Sequence, residues 1–390
     1  MTQIAGFRGA LWDPTKVELA KVVAAPIPDP RAKLASGELV RDPTRAVYRY
    51  HQAFAAGPRV LVRKSWFAAM GLEPWSAKAV RAHEETDAGA RQRAIAGIAA
   101  SGIHTDAVLV GYRDPSGEID RLFRKAEGER PLVDVTTADG TQHKLWRVSS
   151  AEVTGKLRPL CAPKEMHVLD GHARYEGMLA YRDKLAAAAP LAQYASANYG
   201  LACLVSLDDP ALAMGARHRI ARGDHLAKDA ILAAAAPYFI VEQLAGAAKD
   251  VGKQLAALGE TVAHQPAFVA IFAGSADAYK LTLSPDVSPA SLGGAIHRAV
   301  QKYEPVIVTH VFGAHVAPKA TWQTALDPNE VVAAVTGGGA ALGVVMRPLS
   351  VDLVIRADEA GALLPFGSTA VHPQVARLIT YIVDQDEDLV

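Results

Sequence analysis

Four short segments of the chain carry side chains whose combination could do chemistry. The first is Asp170-Gly171-His172-Ala173-Arg174-Tyr175-Glu176. A glycine lets a backbone approach a ligand closely. A helix that starts just after it offers unpaired N–H groups and the positive end of its dipole to an anion. Arg174 adds a fork of donors that suits phosphate oxygens, and His172 can donate or exchange a proton near neutral pH. These are the parts of a phosphate site. The same residues also suit a plainer arrangement, with Asp170 as a helix N-cap and Arg174 as a surface ion-pair partner. The second segment is His83-Glu84-Glu85-Thr86-Asp87. Adjacent carboxylates beside a histidine suit general-base or metal work, or a solvated loop ahead of a helix at Ala88–Ala100. The third, Arg217-His218-Arg219 with Arg222 nearby, is a local basic cluster or a solvated turn. The fourth, Leu364-Pro365-Phe366-Gly367-Ser368-Thr369, places hydroxyls where they can bind phosphate or cap a helix.

The elements around these segments follow from periodicity. Met166-His167-Val168-Leu169 reads as a short strand and His172–Leu185 as a helix, with apolar residues three and four apart, so Asp170-Gly171 lies at a strand-to-helix junction. Arg59–Val62, Ala107–Tyr112, Leu132–Thr136, His143–Val148 and Leu201–Leu207 read as strands, with Asp139-Gly140 as a hairpin turn. In the second half, helices are expected at Lys228–Ala236, Val241–Leu258, Ser288–Tyr303 and from Asp327, with a strand near Pro237–Val241. Strands follow at Phe268–Phe272, Tyr279–Leu283 and Leu342–Met346. The acidic end, Asp384–Asp388, reads as a solvated tail. The pattern is α+β with irregular alternation rather than a parallel βαβ series.

Composition bounds the function. The 390 residues exceed the usual single core of about 250–300, so two domains are expected. We place them at 1–222 and 223–390, with a linker near Ala221–Asp224 and 342–380 returning to the first domain's cleft. Lys and Arg together number 41, equal to Asp and Glu, so the formal net charge is zero. That argues against a protein that coats nucleic acid, which needs excess positive charge. No run of about 20 apolar residues is present, which argues against a membrane span, and the start does not read as a signal peptide. Two cysteines cannot build a disulfide framework or a cysteine-rich zinc site. A cytoplasmic protein acting on a small molecule is the expectation.

Other motifs do not hold. Gly246–Gln254 superficially resembles a phosphate loop, but its spacing is one residue too long and Gln254 replaces the needed hydroxyl. Gly337-Gly338-Gly339 follows a helix rather than opening one. His310 and His315 are five apart on an apolar stretch and read as ordinary histidines. No metal site is assigned.

The ordered set of segments resembles the Domain of Unknown Function 1015 family. The residues that carry the resemblance are Gly6–Gly9, Asp13–Val17, Val47–Tyr50, His83–Thr86, Tyr112–Pro115, Leu145–Val148, Leu169–Glu176, Leu179–Asp183, His218-Arg219 and Gly367–Thr369, with few anchors between Gly223 and Gly339. The Gly-His-x-Arg-Tyr element is similar to the nucleotide-binding box of the ParB/sulfiredoxin fold, which free serine kinases share. The resemblance implies a ParB/sulfiredoxin-like mixed-sheet domain followed by a second α/β domain. It implies a small-molecule phosphotransferase that takes ATP, ADP or pyrophosphate with Mg²⁺. Glu84 and His172 would be catalytic. Asp170, Gly171, Arg174, His83, Thr86, His218, Arg219, Ser368 and Thr369 would bind the donor. Where the family usually has Lys, His and Lys, this chain has Glu85, Ala173 and Gly367, each change removing a phosphate-facing donor. The alternative is therefore a non-catalytic member that binds a nucleotide or an anionic metabolite and acts through a partner.

Overall fold

The computed structural model describes residues 2–223, 226–259, 265–289, 296–384 and 387–389. It is mixed α+β and divides into two compact units, neither continuous in sequence. Unit 1 takes Met1–Ala82, Thr86–Ala213 and Val371–Val390; unit 2 takes His83–Glu85 and Met214–Ala370. The boundary expected at 222/223 lies past the end of the strand His218–Arg222, which pairs on both sides with strands of unit 2.

Unit 1 is built on a nine-stranded sheet. Its main path runs Val80–Ala82, Met166–Asp170, Val108–Tyr112, Tyr199–Ser206, Arg59–Gly71, Val47–Ala56, Gln142–Val148, Val133–Thr136, and Ile4–Ala5 pairs with Arg59–Gly71 off that path. Two pairs are parallel, Met166–Asp170 with Val80–Ala82 and Tyr199–Ser206 with Val108–Tyr112; the others are antiparallel. The central strands read as unbroken apolar runs because both their faces are buried. The hairpin expected around Asp139-Gly140 forms, with Asp139 accepting from the Thr137 hydroxyl and the Thr141 N–H. Helices Ala88–Ser101 and His172–Ala188 pack against one another. Gly177 allows the close approach: a Cβ there would sit 2.9 Å from that of Ala94. A smaller sheet joins Leu39–Arg41, Ala10–Trp12, Ile379–Ile382 and Ile103–His104. The described part of the acidic end is docked rather than solvated. Asp384 pairs with Arg41, and Glu387 with Arg8 and Arg45, at 3.0–3.3 Å; Arg41 also reaches Glu387. Three arginines converging on one patch hold it down.

Unit 2 centres on a six-stranded antiparallel sheet, ordered Phe239–Leu244, Ala278–Leu283, Ala267–Phe272, Leu342–Val345, His218–Arg222, Thr321–Ala325. Alternation splits its side chains between two cores. Phe268, Ala270 and Phe272 pack with Ile307, Val311 and Phe312 on one face. Ala267, Val269 and Ile271 pack with Leu258, Val331 and Val335 on the other. The expected long helix Val241–Leu258 is a strand to Leu244 and a helix only over Val251–Leu258. Glu242 and Gln243 suited a helix face, but pairing with Tyr279 and Lys280 across the sheet wins. Of the helix expected at Ser288–Tyr303, residues 290–295 lie outside the described residues and 298–302 are turns. The Glu304 carboxylate pairs with Arg347, both side chains buried.

Candidate functional site

The residues singled out by sequence fall into two groups, one in each unit. In unit 1, the strand Met166–Asp170 ends at Gly171, and the 17-residue helix His172–Ala188 begins at once. Gly171 has φ +98°, a left-handed conformation that a side chain resists. A Cβ would also come within 2.7 Å of Arg174 Nε, so the guanidinium would have to move away. The cap position thus offers no side-chain acceptor to the first helical turn. Asp170 accepts from Arg174 Nη2 at 2.5 Å, one turn along. Burial disfavours the Arg174 charge, but Asp170 and Asp106 outweigh it and hold its pKa above the ordinary value. His172 is buried at the helix start. Thr86 donates to Glu176 at 3.0 Å, and Glu176 also takes Trp75 and Arg91, so Thr86 ties its loop to this helix.

Arg174 lines a cavity of about 230 Å³ that also touches Arg93, His104, Thr105, Asp106 and Met178. His104 is fully buried and its Nδ1 accepts from the Leu201 N–H at 3.3 Å. The ring proton therefore sits on Nε2, and burial pushes the pKa down to about 3, so the imidazole is neutral. His104 Nε2 and Arg174 Nε are buried with no hydrogen-bond partner among the described residues. Sequence reasoning missed His104 and Arg93. Only the fold brings His104, at the end of a short strand, beside Arg174.

In unit 2, His83-Glu84-Glu85 lies against Leu364, which donates to the His83 carbonyl and accepts from the Glu85 N–H, both at 2.8 Å. This places the Glu84 carboxylate inside the loop that follows. Oε1 accepts from the Gly367 N–H at 2.8 Å. Oε2 accepts from the Ser368 N–H at 3.1 Å, the Thr369 N–H at 3.0 Å and the Thr369 hydroxyl at 3.1 Å. Gly367, at φ +71°, turns these donors to one side. His83 Nε2 lies 2.8 Å from the same Thr369 hydroxyl, so His83, Thr369 and Glu84 form a buried chain. Burial raises the Glu84 pKa, while the Gly367 and Thr369 N–H groups and the Arg217 charge pull it back. The Ser368 hydroxyl donates to the Pro365 carbonyl at 2.5 Å. Of the loop hydroxyls expected to bind phosphate, that of Thr369 thus donates to the protein's own Glu84 carboxylate and that of Ser368 to the loop backbone.

Of the basic cluster, Arg217 donates from Nε to the Thr369 carbonyl at 2.6 Å. His218 is buried, and its Nδ1 accepts from the Met346 N–H at 3.2 Å. Burial lowers its pKa to about 4, which makes it a neutral core histidine. Arg219 is also buried, and its Nη1 donates to the Arg217 carbonyl. Among the described residues, no group of three His, Cys, Asp or Glu could hold a metal ion, and no helix is long and apolar enough to cross a membrane.

Comparison with known proteins adds the following. No curated protein matches the chain. Among solved structures it is similar to "Free serine kinase in complex with AMP", at 13% identity and a TM-score of 0.42, covering 84% of this chain and 93% of that one. It is similar to a conserved hypothetical protein from Pyrococcus furiosus, at 13% identity and a TM-score of 0.39, covering 80% and 92%. A third is SbnI with a C-terminal truncation from Staphylococcus aureus, at 11% identity and a TM-score of 0.38, covering 83% and 90%. Residues 30–309 match the family described as "Protein of unknown function (DUF1015)", and the chain belongs to that family.

Proposed function

We propose that the protein is a cytoplasmic phosphotransferase of the free-serine-kinase kind, with a ParB/sulfiredoxin-like first unit. It would hold the phosphates of ATP, ADP or pyrophosphate at Asp170–Arg174 and pass the terminal phosphoryl to the hydroxyl of a small substrate such as L-serine. The observation that carries this reading is the junction itself: Gly171 at φ +98°, a long helix opening behind it, and Arg174 steadied by Asp170 beside a cavity. Helix N–H groups and a guanidinium are the donors a transferring phosphoryl group requires, because its charge is spread over three oxygens. His172 stands at the first helical position to add another. Mg²⁺ would arrive on the donor, since it is commonly bound by one or two carboxylates together with substrate phosphates. Asp170 is the carboxylate at the junction that could share in holding it, and its chemistry would be charge neutralisation.

Glu84 carries the base role in a separate part of the proposal. Its Oε1 accepts one hydrogen bond where Oε2 accepts three, so Oε1 retains a lone pair, and burial has raised its affinity for a proton. A second reading has an observation in its favour. Three consecutive backbone N–H groups engage the Glu84 carboxylate, which suits an anchor as well as a base. In that reading the protein binds an anionic ligand without turnover.

The test is a thermal-shift and turnover assay with ATP, ADP and pyrophosphate, with and without Mg²⁺ and serine. The kinase reading expects stabilisation by a donor, phosphoserine as product, and loss of donor binding in Arg174→Ala. Glu84→Gln should keep donor binding and lose turnover by roughly 10²-fold or more. Donor binding without product supports the second reading. If no donor binds and Arg174→Ala changes nothing, the phosphate site is refuted in both forms.

A further inference from the structure

Unit 2 contains a second cavity, of about 360 Å³, that the phosphotransferase reading does not use. Its walls include Arg219, Thr309, Trp322, Thr324 and Phe366. Sheet register explains the grouping. Arg219 pairs with Thr324 and Ala221 with Trp322, so all four side chains share one face of the sheet. That face carries the apolar core against which Trp322 packs, and the Phe312 and Trp322 rings are 6.3 Å apart. Phe366 closes another side. It is 49% exposed, yet its loop is held by the Glu84 carboxylate through the next three N–H groups. An aromatic ring fixed in water-accessible space presents apolar surface that a ligand would cover.

Arg219 is the charged group of this cavity, and its guanidinium has donors left over. It is only 5% exposed. Its one side-chain hydrogen bond runs from Nη1 to the Arg217 carbonyl at 2.8 Å, and no carboxylate lies within ion-pair distance among the described residues. Buried guanidinium groups are normally paired, because an unpaired buried charge is costly. Burial lowers its pKa to about 10, although the Glu84 carboxylate pulls the other way. Its Nε–H and Nη2–H make no hydrogen bond to the described residues and, unlike Arg174 Nε, are not sealed from solvent; they form the side edge of the guanidinium, whose two parallel donors match the two oxygens of a carboxylate. The lining agrees: Arg219 is its one charged residue, and a single positive charge suits a monoanion better than a phosphate dianion.

We infer that this cavity binds a small aromatic carboxylate, its carboxylate on the Nε/Nη2 edge of Arg219 and its ring between Trp322 and Phe366. The site lies entirely in unit 2, and here Arg219 serves the carboxylate ligand rather than the phosphate donor that the family resemblance gives it.

Benzoate is the probe, titrated calorimetrically into the full chain alongside benzyl alcohol and inorganic phosphate at matched ionic strength. Saturable benzoate binding is expected, with no binding of benzyl alcohol and no displacement by phosphate. Arg219→Gln should weaken benzoate at least tenfold, about 1.4 kcal/mol. Trp322→Leu, at a partly exposed wall position, should weaken it by a similar factor while circular dichroism stays native, with a lowered melting temperature from the lost core packing but a folded chain at 25 °C. If Arg219→Gln does not fold, Trp322→Leu decides alone. Absence of benzoate binding at tens of millimolar, equal affinity in the folded variants, or displacement by phosphate overturns the proposal.

Discussion

At the scale of single residues, the junction at Gly171 concentrates two constraints on one position. The left-handed φ resists a side chain, and one placed there would push the Arg174 guanidinium aside. Gly171→Ala should destabilise the fold by about 1–3 kcal/mol, displace Arg174 from Asp170, and weaken donor binding. Urea unfolding with a pyrophosphate titration checks this, and an alanine variant as stable as the parent would remove the constraint. The junction was legible in the sequence because it is local. A short apolar strand, an Asp-Gly pair and a helical period occur within 20 residues or so, and each signals itself. His104 gave no such signal. It meets Arg174 across 70 residues of chain, and an isolated histidine in a short strand has no spacing to read.

Secondary-structure elements show where reading the chain linearly runs out. The strands with apolar alternation or solid apolar runs stand where periodicity puts them, including Ala267–Phe272 and Ala278–Leu283. The segment 241–258 does not, because alanine-rich sequence is helical by propensity and only cross-strand pairing turns its start into a sheet edge. Likewise, nothing near Gly367 announces that its loop encloses a carboxylate from position 84. That enclosure makes a prediction about the loop. Glu84→Ala leaves three N–H groups without their acceptor, and should cost about 1–3 kcal/mol and accelerate amide exchange at Gly367, Ser368 and Thr369. Protection unchanged at those three amides would show that the carboxylate is not what orders the loop. The Glu304–Arg347 pair is a second such tie, with both side chains buried. Glu304→Ala would take away the carboxylate that neutralises the buried Arg347 charge, with an expected loss of about 3–5 kcal/mol in denaturant unfolding; a loss under about 1 kcal/mol would mean water reaches Arg347.

For the molecule as a whole, three buried histidines set the response to acid. Burial lowers His104 to about 3, and His143 and His218 to about 4, each below the ordinary histidine value of 6.5. A depressed folded-state pKa means the unfolded chain takes up protons first. The stabilisation is therefore complete above about pH 6.5 and is lost progressively as pH falls toward 4. These shifts correspond to roughly 3 kcal/mol each for His143 and His218 and roughly 5 kcal/mol for His104 at the acid end. The melting temperature should fall steeply between about pH 6.5 and about pH 4.5. A flat profile over that range would mean the imidazoles protonate without unfolding anything. The zero net charge of the chain says nothing about this behaviour, which comes from where the histidines are buried rather than from how many charges there are.

The divided units also carry a consequence for synthesis. In the small sheet of unit 1, Ile379–Ile382 sits between Ala10–Trp12 and Ile103–His104. During translation those two strands emerge more than 270 residues ahead of the strand that joins them. Until residue 382 has emerged, both offer unpaired edges to solvent and the small sheet cannot close, although every strand of the nine-stranded sheet lies before residue 207. Unit 2 has all its residues, Glu84 included, once Ala370 has emerged. The large sheet of unit 1 can therefore form early, while its small sheet waits for a strand encoded after the whole of unit 2.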